Sequence, residues 1–383
     1  MSRYSAATAP VCPKALPGCT GKIRERGATM CGNCARLYRR QPDNETFRPA
    51  ESVEADRQKL KSTSDLALLR KKYDIALKTI ETQQRQLDAA NSLDSSIDTF
   101  VIEPQERSGI SEATPVIVAS DWHIEERVGS EVGSLNRFDL HIAHERAERF
   151  WRSSLRLVKL LNQDVAISTV VVALLGDFIS NDIHGAENSE VNQLKPIEAL
   201  IEVQDLIASG IEFLLANSTY TFTITCHSGN HARTTQTIRY SSENGHSLEY
   251  MMYIHLAAYF RQEPRVSFII PDSPFSYLKV YDTTIRFHHG HLLKYGGGIG
   301  GLFIPAFKAI SQYNKARHAD LDVFGHFHQL KDGGNFLTNG SLIGWNGYAQ
   351  AIRADFEPPR QLLFLMDKTR QRTCTWPILL TNK

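Results

Sequence analysis

From residue 115 onward, short apolar runs alternate with longer amphipathic stretches. Five runs, at 116–119, 170–175, 222–225, 284–287 and 321–324, are rich in β-branched residues and apolar at consecutive positions. That pattern predicts strands covered on both faces. Between them the 3.6-residue period predicts helices over about 139–162, 196–217, 247–261 and 303–318, the second opening with Pro196 in its first turn. Strands alternating with helices in this way predict an α/β domain of layered sheets covered by helices. A further segment, 339–346, reads as a late strand and turn.

Upstream the texture differs. Residues 51–91 are rich in Lys, Gln, Glu, Ala and Leu, and Leu66, Leu69, Tyr73, Ala76, Ile80, Gln83 and Leu87 follow alternating steps of three and four. This heptad seam predicts a helix that joins two chains through about residues 60–90 or packs on the domain that follows, with Ala76 and Gln83 weakening it. Residues 92–114 are polar, hold Pro104 and Gly109, and read as a linker. The expected organisation is therefore a basic module at 1–50, a helical segment at 51–91, a linker at 92–114 and a domain at 115–383.

Composition adds little. The chain has 383 residues, 42% hydrophobic and 22% charged, with a formal net charge of +1. Any affinity for nucleic acid must therefore rest on a local patch. There is no apolar run long enough to span a membrane and no apolar signal-peptide core among the first residues, so the expectation is an intracellular, cytoplasmic protein with no membrane partner.

Of six cysteines, four lie in the first 34 residues. Cys12, Cys19, Cys31 and Cys34 form a C-x6-C and C-x2-C pair that suits a structural, tetrahedral zinc, although the first gap is wide. Around them, residues 12–40 carry seven Lys or Arg and one Glu, a side-chain charge of +6 that four thiolates and a Zn2+ would reduce to +4. This patch is expected to hold nucleic-acid phosphates, with DNA the first candidate. Cys226 and Cys374 stand alone and read as small buried side chains.

Each of the five strands ends in polar residues of metal-binding type: Asp121 and His123; Asp177; Asn230 and His231; His288, His289 and His291; His326 and His328. Strand ends on one sheet edge converge on a crevice. Residues two apart in an extended segment share a face, as Asp121 and His123 do, and the adjacent Gly176, Gly229, Gly290 and Gly325 permit sharp turns. Taking one of the three fourth-strand histidines gives seven protein ligands, too many for one ion and suited to two. Mixed imidazole and carboxylate donors suit Mn, Fe, Zn, Ni or Co, with Mg a further candidate. His141, His144, His246, His255 and His318 lie in helical patterns and read as surface or packing groups.

The order D-x-H, G-D, G-N-H, H-G, G-H-x-H resembles the calcineurin-like metallophosphoesterase superfamily from about Val116 to His328. The 339–346 segment is similar to phosphoesterases of bacteriophage and prophage, which implies a bacterial host cytoplasm. The resemblance implies a four-layer β-sandwich flanked by helices. It implies that Asp177 bridges two divalent metals, with Asp121, His123 and His328 completing one site and Asn230, His289 and His326 the other. His289 is chosen over His288 and His291 because it precedes Gly290. His231 matches the catalytic histidine, and the implied reaction is in-line attack on a phosphate ester by a metal-bridging hydroxide.

Two departures stand out. Ala232 and Arg233 follow the third motif where an acidic residue is frequent, and Arg233 is a candidate phosphate contact. In Mre11/SbcD-like nucleases a second catalytic histidine lies three residues after the bridging aspartate, a position held here by Ser180. The leading expectation is a metal-dependent phosphodiesterase acting on DNA. The alternatives are a phosphatase or phosphodiesterase for small nucleotides or phosphoproteins, and a non-catalytic nucleic-acid-binding adaptor. The glycine-rich stretch 296–301, broken by Ile299, lacks the Gly-Lys-Ser/Thr of a nucleotide loop and reads as a flexible loop or flap.

Overall fold

The computed structural model describes residues 70–71, 74, 77–78, 81, 100–102, 111–183, 190–294, 301–351 and 354–381. The chain divides into two compact units, Met1–Gln83 and Gln84–Lys383. The described residues of the first, Arg70, Lys71, Asp74, Leu77, Lys78 and Glu81, are all helical. Cys12, Cys19, Cys31 and Cys34, the basic patch around them and most of the expected heptad seam lie outside the described residues. Among the described residues, no helix is long and apolar enough to cross a membrane.

The second unit holds twelve described strands in two six-stranded sheets. The first sheet has the order β1-β6-β7-β8-β10-β9, where β1 is Phe100–Ile102, β6 Ser276–Val280, β7 Thr283–His288, β8 Leu321–Phe324, β9 Lys331–Asp332 and β10 Phe336–Thr338. The second has the order β12-β11-β2-β3-β4-β5, where β2 is Ala113–Ala119, β3 Thr169–Leu174, β4 Thr221–Cys226, β5 Val266–Ile269, β11 Arg360–Asp367 and β12 Gln371–Leu379. The five expected strands become β2, β3, β4, β7 and β8.

The four expected helices form as α1 (Leu140–Leu161), α2 (Pro196–Ala216), α3 (Leu248–Tyr259) and α4 (Phe303–Ala316), and a short α5 (Gly347–Ala351) follows. Their starts have local causes. The Asp139 side chain accepts a hydrogen bond from Ile142 N and Ser247 accepts one from Tyr250 N, each satisfying a helix donor that has no partner in its own turn. Pro196 opens α2, where a missing N–H costs nothing.

The strands are buried on both faces because the sheets sit between helices. Val116, Val118, Val171, Ala173, Leu362 and Phe364 of the second sheet pack against Leu278, Ile285, Phe287, Val323 and Leu337 of the first. On its other face the second sheet presents Ile117, Val172, Leu174, Ile224 and Leu363 to α1, α2 and α3, through residues such as Phe150, Trp151, Val203, Ile207 and Tyr253. Phe324 and Phe336 of the first sheet meet Ala306 and Ile310 of α4. The layers therefore run helix, sheet, sheet, helix, as the resemblance implies.

Two expectations are corrected. The supposed linker at 92–114 contains β1, which pairs in parallel with β6, and the first two residues of β2. The segment 339–346 is a loop rather than a strand; the strand is β10, just before it. Its backbone is held by isolated backbone bonds, such as Leu342 N to Asp121 O at 3.1 Å, and by side chains. Arg146 of α1 donates to Leu342 O (2.9 Å) and Ile343 O (2.7 Å), and Asn136 donates to Ile343 O (2.8 Å) and Trp345 O (2.7 Å). A buried loop needs such partners for its carbonyls.

Candidate metal centre

Parallel pairing of β2 with β3, β3 with β4 and β7 with β8 brings the carboxyl ends of these strands together. The segments that follow carry the polar residues singled out in the sequence. Among the described residues, three groups of His, Asp or Glu have donor atoms within 4.8 Å of one another: Asp121, His123 and His328; His123, Asp177 and His231; and Asp177, His289 and His326. The groups overlap at His123 and Asp177. Asn230 joins them through its Oδ1, 3.2 Å from His289 Nε2. All seven candidate ligands and His231 thus gather in one cluster.

The backbone there is unusual. Eight non-glycine residues among those described have positive φ, and five are candidate ligands: Asp121 (56°), His123 (47°), Asp177 (53°), His326 (70°) and His328 (54°). Left-handed backbone disfavours side chains with a Cβ, and it persists where surrounding structure enforces it, commonly at functional sites. Two glycines act by leaving room rather than by turning. A Cβ on Gly229 would lie 2.0 Å from Asp177 Oδ1, and one on Gly325 would lie 2.4 Å from Asp121 Oδ2. These close approaches replace, at both positions, the sharp-turn role expected from sequence.

Buried hydrogen bonds fix the loops. Glu249 of α3 accepts from Phe178 N and Gly229 N, both at 2.7 Å, tying the segment of Asp177 to that of Asn230. Glu125 accepts from Ser180 N (2.7 Å) and Asn181 N (2.8 Å), and Asn181 donates to the carbonyls of His231 and Arg233. Asp121 accepts from His326 N with both oxygens at 3.0 Å. Burial pushes the Glu249 carboxyl up to about 8, aided by the charge of Asp177 and opposed by its two N–H partners. None of Glu249, Glu125 or Asn181 was singled out from sequence, because each acts from a position unrelated to the motif spacing.

The electrostatics favour cations. Burial works to raise the Asp177 carboxyl, but His289 and His231 outweigh it and hold it well below the usual carboxylate range. His289 Nε2 lies 2.8 Å from Asp177 Oδ2, and against the opposing effect of burial this carboxylate lifts His289 to about 10. His123 and His326 are driven well below the ordinary histidine value, first by burial and then by neighbouring histidines. A carboxylate 1% exposed, ringed by imidazoles, needs positive charge at its centre.

The orientation of the donors tests whether divalent cations suit them. His289 Nδ1 donates to Leu175 O at 2.7 Å, so the proton a divalent cation would displace is the one on Nε2, between the ring and Asp177. His123 Nε2 and His328 Nε2 face each other at 3.2 Å beside Asp121. Imidazole lone pairs, carboxylate oxygens and an amide oxygen directed inward form a donor set that fits first-row divalent metals.

The remaining candidates divide. His288 turns away, stacked on Phe324 with Nε2 3.4 Å from Asp322, and His291 lies 3.4 Å from Glu243; neither belongs to the donor groups. Arg233 donates to the carbonyls of Asn230, Thr235 and Gln236, so its guanidinium braces its own loop. His144 and His318 sit beside Glu202 and Asp320, as surface groups do. Cys226 is buried in the core and Cys374 is half-buried on β12.

No family model matches the chain, and no curated protein matches it. Solved structures with some likeness include a single mutant of Vps29 from Entamoeba histolytica, 13% identical with a TM-score of 0.27, covering 69% of this chain and 98% of that one. Another is a predicted phosphoesterase from Streptococcus pneumoniae, 12% identical with a TM-score of 0.25, covering 69% and 98%. A third is the sulfate thiohydrolase SoxB from Thermus thermophilus, 9% identical with a TM-score of 0.32, covering 72% and 58%. At these scores the likenesses assign neither family nor activity to this chain.

Proposed function

We propose that this chain is a dinuclear metal-dependent phosphodiesterase. The observation that carries the reading is the shared position of Asp177, whose carboxylate belongs to donor groups on both sides of it. Asp121, His123, Asp177 and His328 would hold one ion; Asp177, Asn230, His289 and His326 would hold the other. Manganese is the first candidate, with Fe, Zn, Ni, Co and Mg behind it. Such a pair of cations acidifies water, orients a phosphate and neutralises charge in an in-line displacement.

The chain's own residues have separate tasks. His231 is 22% exposed at its side chain, against 2% for Asp177. Its Nδ1 faces Ser180 O at 3.0 Å, so Nδ1 holds a proton and Nε2 is left to exchange one with the leaving oxygen. Its backbone N–H donates to Asp177 Oδ1 at 2.8 Å, which couples the position of the acid–base group to that of the shared ligand. Glu249 and Glu125 keep these loops in register.

DNA is the substrate favoured by the chemistry of the whole chain. A basic four-cysteine segment at 1–50, holding structural zinc through Cys12, Cys19, Cys31 and Cys34, would tether the substrate, and the helical segment would pair two chains through 60–90. Purified protein with Mn2+ tests the reading on bis-p-nitrophenyl phosphate, p-nitrophenyl phosphate and labelled single- and double-stranded DNA. Cleavage of the diester and of DNA is expected. Monoester cleavage alone would move the assignment to a phosphatase, and silence on every substrate and metal would leave an adaptor. Removing residues 1–50 should weaken DNA binding and spare diester turnover.

A further inference from the structure

His123 is held from behind by two side chains outside the donor cluster. Its Nδ1 lies 2.9 Å from Ser180 Oγ, and Ser180 Oγ lies 3.1 Å from Glu126 Oε2. The other Glu126 oxygen accepts from Asn346 Nδ2 at 2.9 Å. A carboxylate only accepts, so the single hydroxyl proton of Ser180 points at Glu126 and its lone pair faces His123. His123 must then carry its proton on Nδ1, and Nε2 presents a lone pair to His328 and Asp121.

We propose that Glu126, Ser180 and His123 form a relay that sets the tautomer and ring orientation of His123 as a metal ligand, making Ser180 and Glu126 positioning residues of one of the two ion sites. This rests on the dinuclear reading above. The chain draws on three distant segments: Glu126 follows β2, Ser180 follows β3, and Asn346 ends the loop pinned by Arg146 and Asn136. It is also selective. His289, in the other site, is oriented by the Leu175 carbonyl and has no part in it.

The Ser180 backbone does not depend on its hydroxyl. Its N–H is held by Glu125 at 2.7 Å and its carbonyl faces His231, so Ser180→Ala removes the relay and leaves the loop. Outer partners of metal-bound histidine typically alter affinity by about 10–100-fold.

The test is calorimetric titration of the full, metal-stripped chain with MnCl2, together with its melting temperature in chelator. The parent chain is expected to bind two ions. Ser180→Ala should weaken one of them by roughly 10–100-fold, the same one that His328→Ala abolishes, and leave the ion that His326→Ala abolishes unchanged. Glu126→Ala should weaken that same ion, and the melting temperature in chelator should not move in Ser180→Ala. Parental affinity at both sites in Ser180→Ala overturns the relay, as does equal weakening of both ions with a lowered melting temperature. A parent chain that binds none of Mn2+, Fe2+, Zn2+, Ni2+, Co2+ and Mg2+ overturns the dinuclear reading itself, and the relay with it.

Discussion

Ser180 presents its backbone carbonyl 3.0 Å from Nδ1 of His231, while its hydroxyl lies 2.9 Å from Nδ1 of His123. One residue thus addresses two imidazoles whose ring centroids are 4.8 Å apart. The carbonyl contact leaves His231 Nε2 facing the centre, 3.9 Å from Asp177 Oδ2. His231→Ala is therefore expected to keep both manganese ions and to lose about 10²–10⁴ in kcat on bis-p-nitrophenyl phosphate, the usual worth of an acid–base group. Full activity in that variant would remove His231 from the mechanism.

Asp177 stands between the two donor groups, so its loss should be felt by both ions. Asp177→Ala is expected to abolish manganese binding and diester turnover together. In the parent, saturating metal should raise the melting temperature, since a ligand at 100 times its Kd adds about 2.7 kcal/mol to the folded state. In Asp177→Ala that rise should disappear. A variant that still binds two ions would mean that Asp177 is not shared.

Gly229 approaches Asp177 more closely than any side chain permits. A Cβ there would lie 2.2 Å from Asp177 N and 2.0 Å from Oδ1. Gly229→Ala should displace the aspartate, and a shift of about 1 Å at a reacting centre costs on the order of 10²-fold in rate. The loss should appear with weakened manganese binding, and unchanged kinetics would show that the loop yields without cost.

Stability has a separate anchor in the first sheet. Arg286 of β7 donates to Asp322 of β8 at 2.7 and 2.9 Å, with both side chains fully buried, and its guanidinium lies within 6 Å of the Phe275, Tyr277 and Tyr313 ring centroids. Removing one partner of a buried pair costs about 3–5 kcal/mol, because it leaves the other charge alone. Arg286→Ala should lower the urea midpoint accordingly. The double change Arg286→Met with Asp322→Leu should recover most of the loss.

α2 and α1 meet so closely that a methyl group matters. A Cβ on Gly210 would fall 2.1 Å from the indole of Trp151. Overpacking of this kind costs about 1–3 kcal/mol, so Gly210→Ala should be less stable in urea with metal affinity unchanged. A stable variant would show that Trp151 can move.

The amino-acid pattern alone determined the elements that are locally encoded. Runs such as 170–175 are apolar at every position because both faces of β3 are covered, and Asp139, Pro196 and Ser247 mark helix starts by satisfying or lacking a donor. It also supplied six of the seven candidate donors, Asp121, His123, Asp177, Asn230, His326 and His328, and His231, since each follows a strand that can be recognised without its partners. It did not reveal β11, whose residues Gln361–Asp367 are all buried; β11 forms a hairpin with β12, but its burial depends on pairing with the distant β2, which no local pattern records.

Tertiary structure decided the rest. The choice among His288, His289 and His291 depends on which ring reaches Asp177, and Asp322, Phe324 and Glu243 claim the other two. Left-handed backbone at Asp121, His123, Asp177, His326 and His328 occurs where segments far apart in sequence are hydrogen-bonded, as His326 N and Leu342 N are to Asp121. Ser180, Glu249 and Arg146 act through contacts with no spacing in sequence. Local patterns specify an element and its covered face; which side chains then meet depends on how distant segments pack, and a one-dimensional pattern carries no record of that.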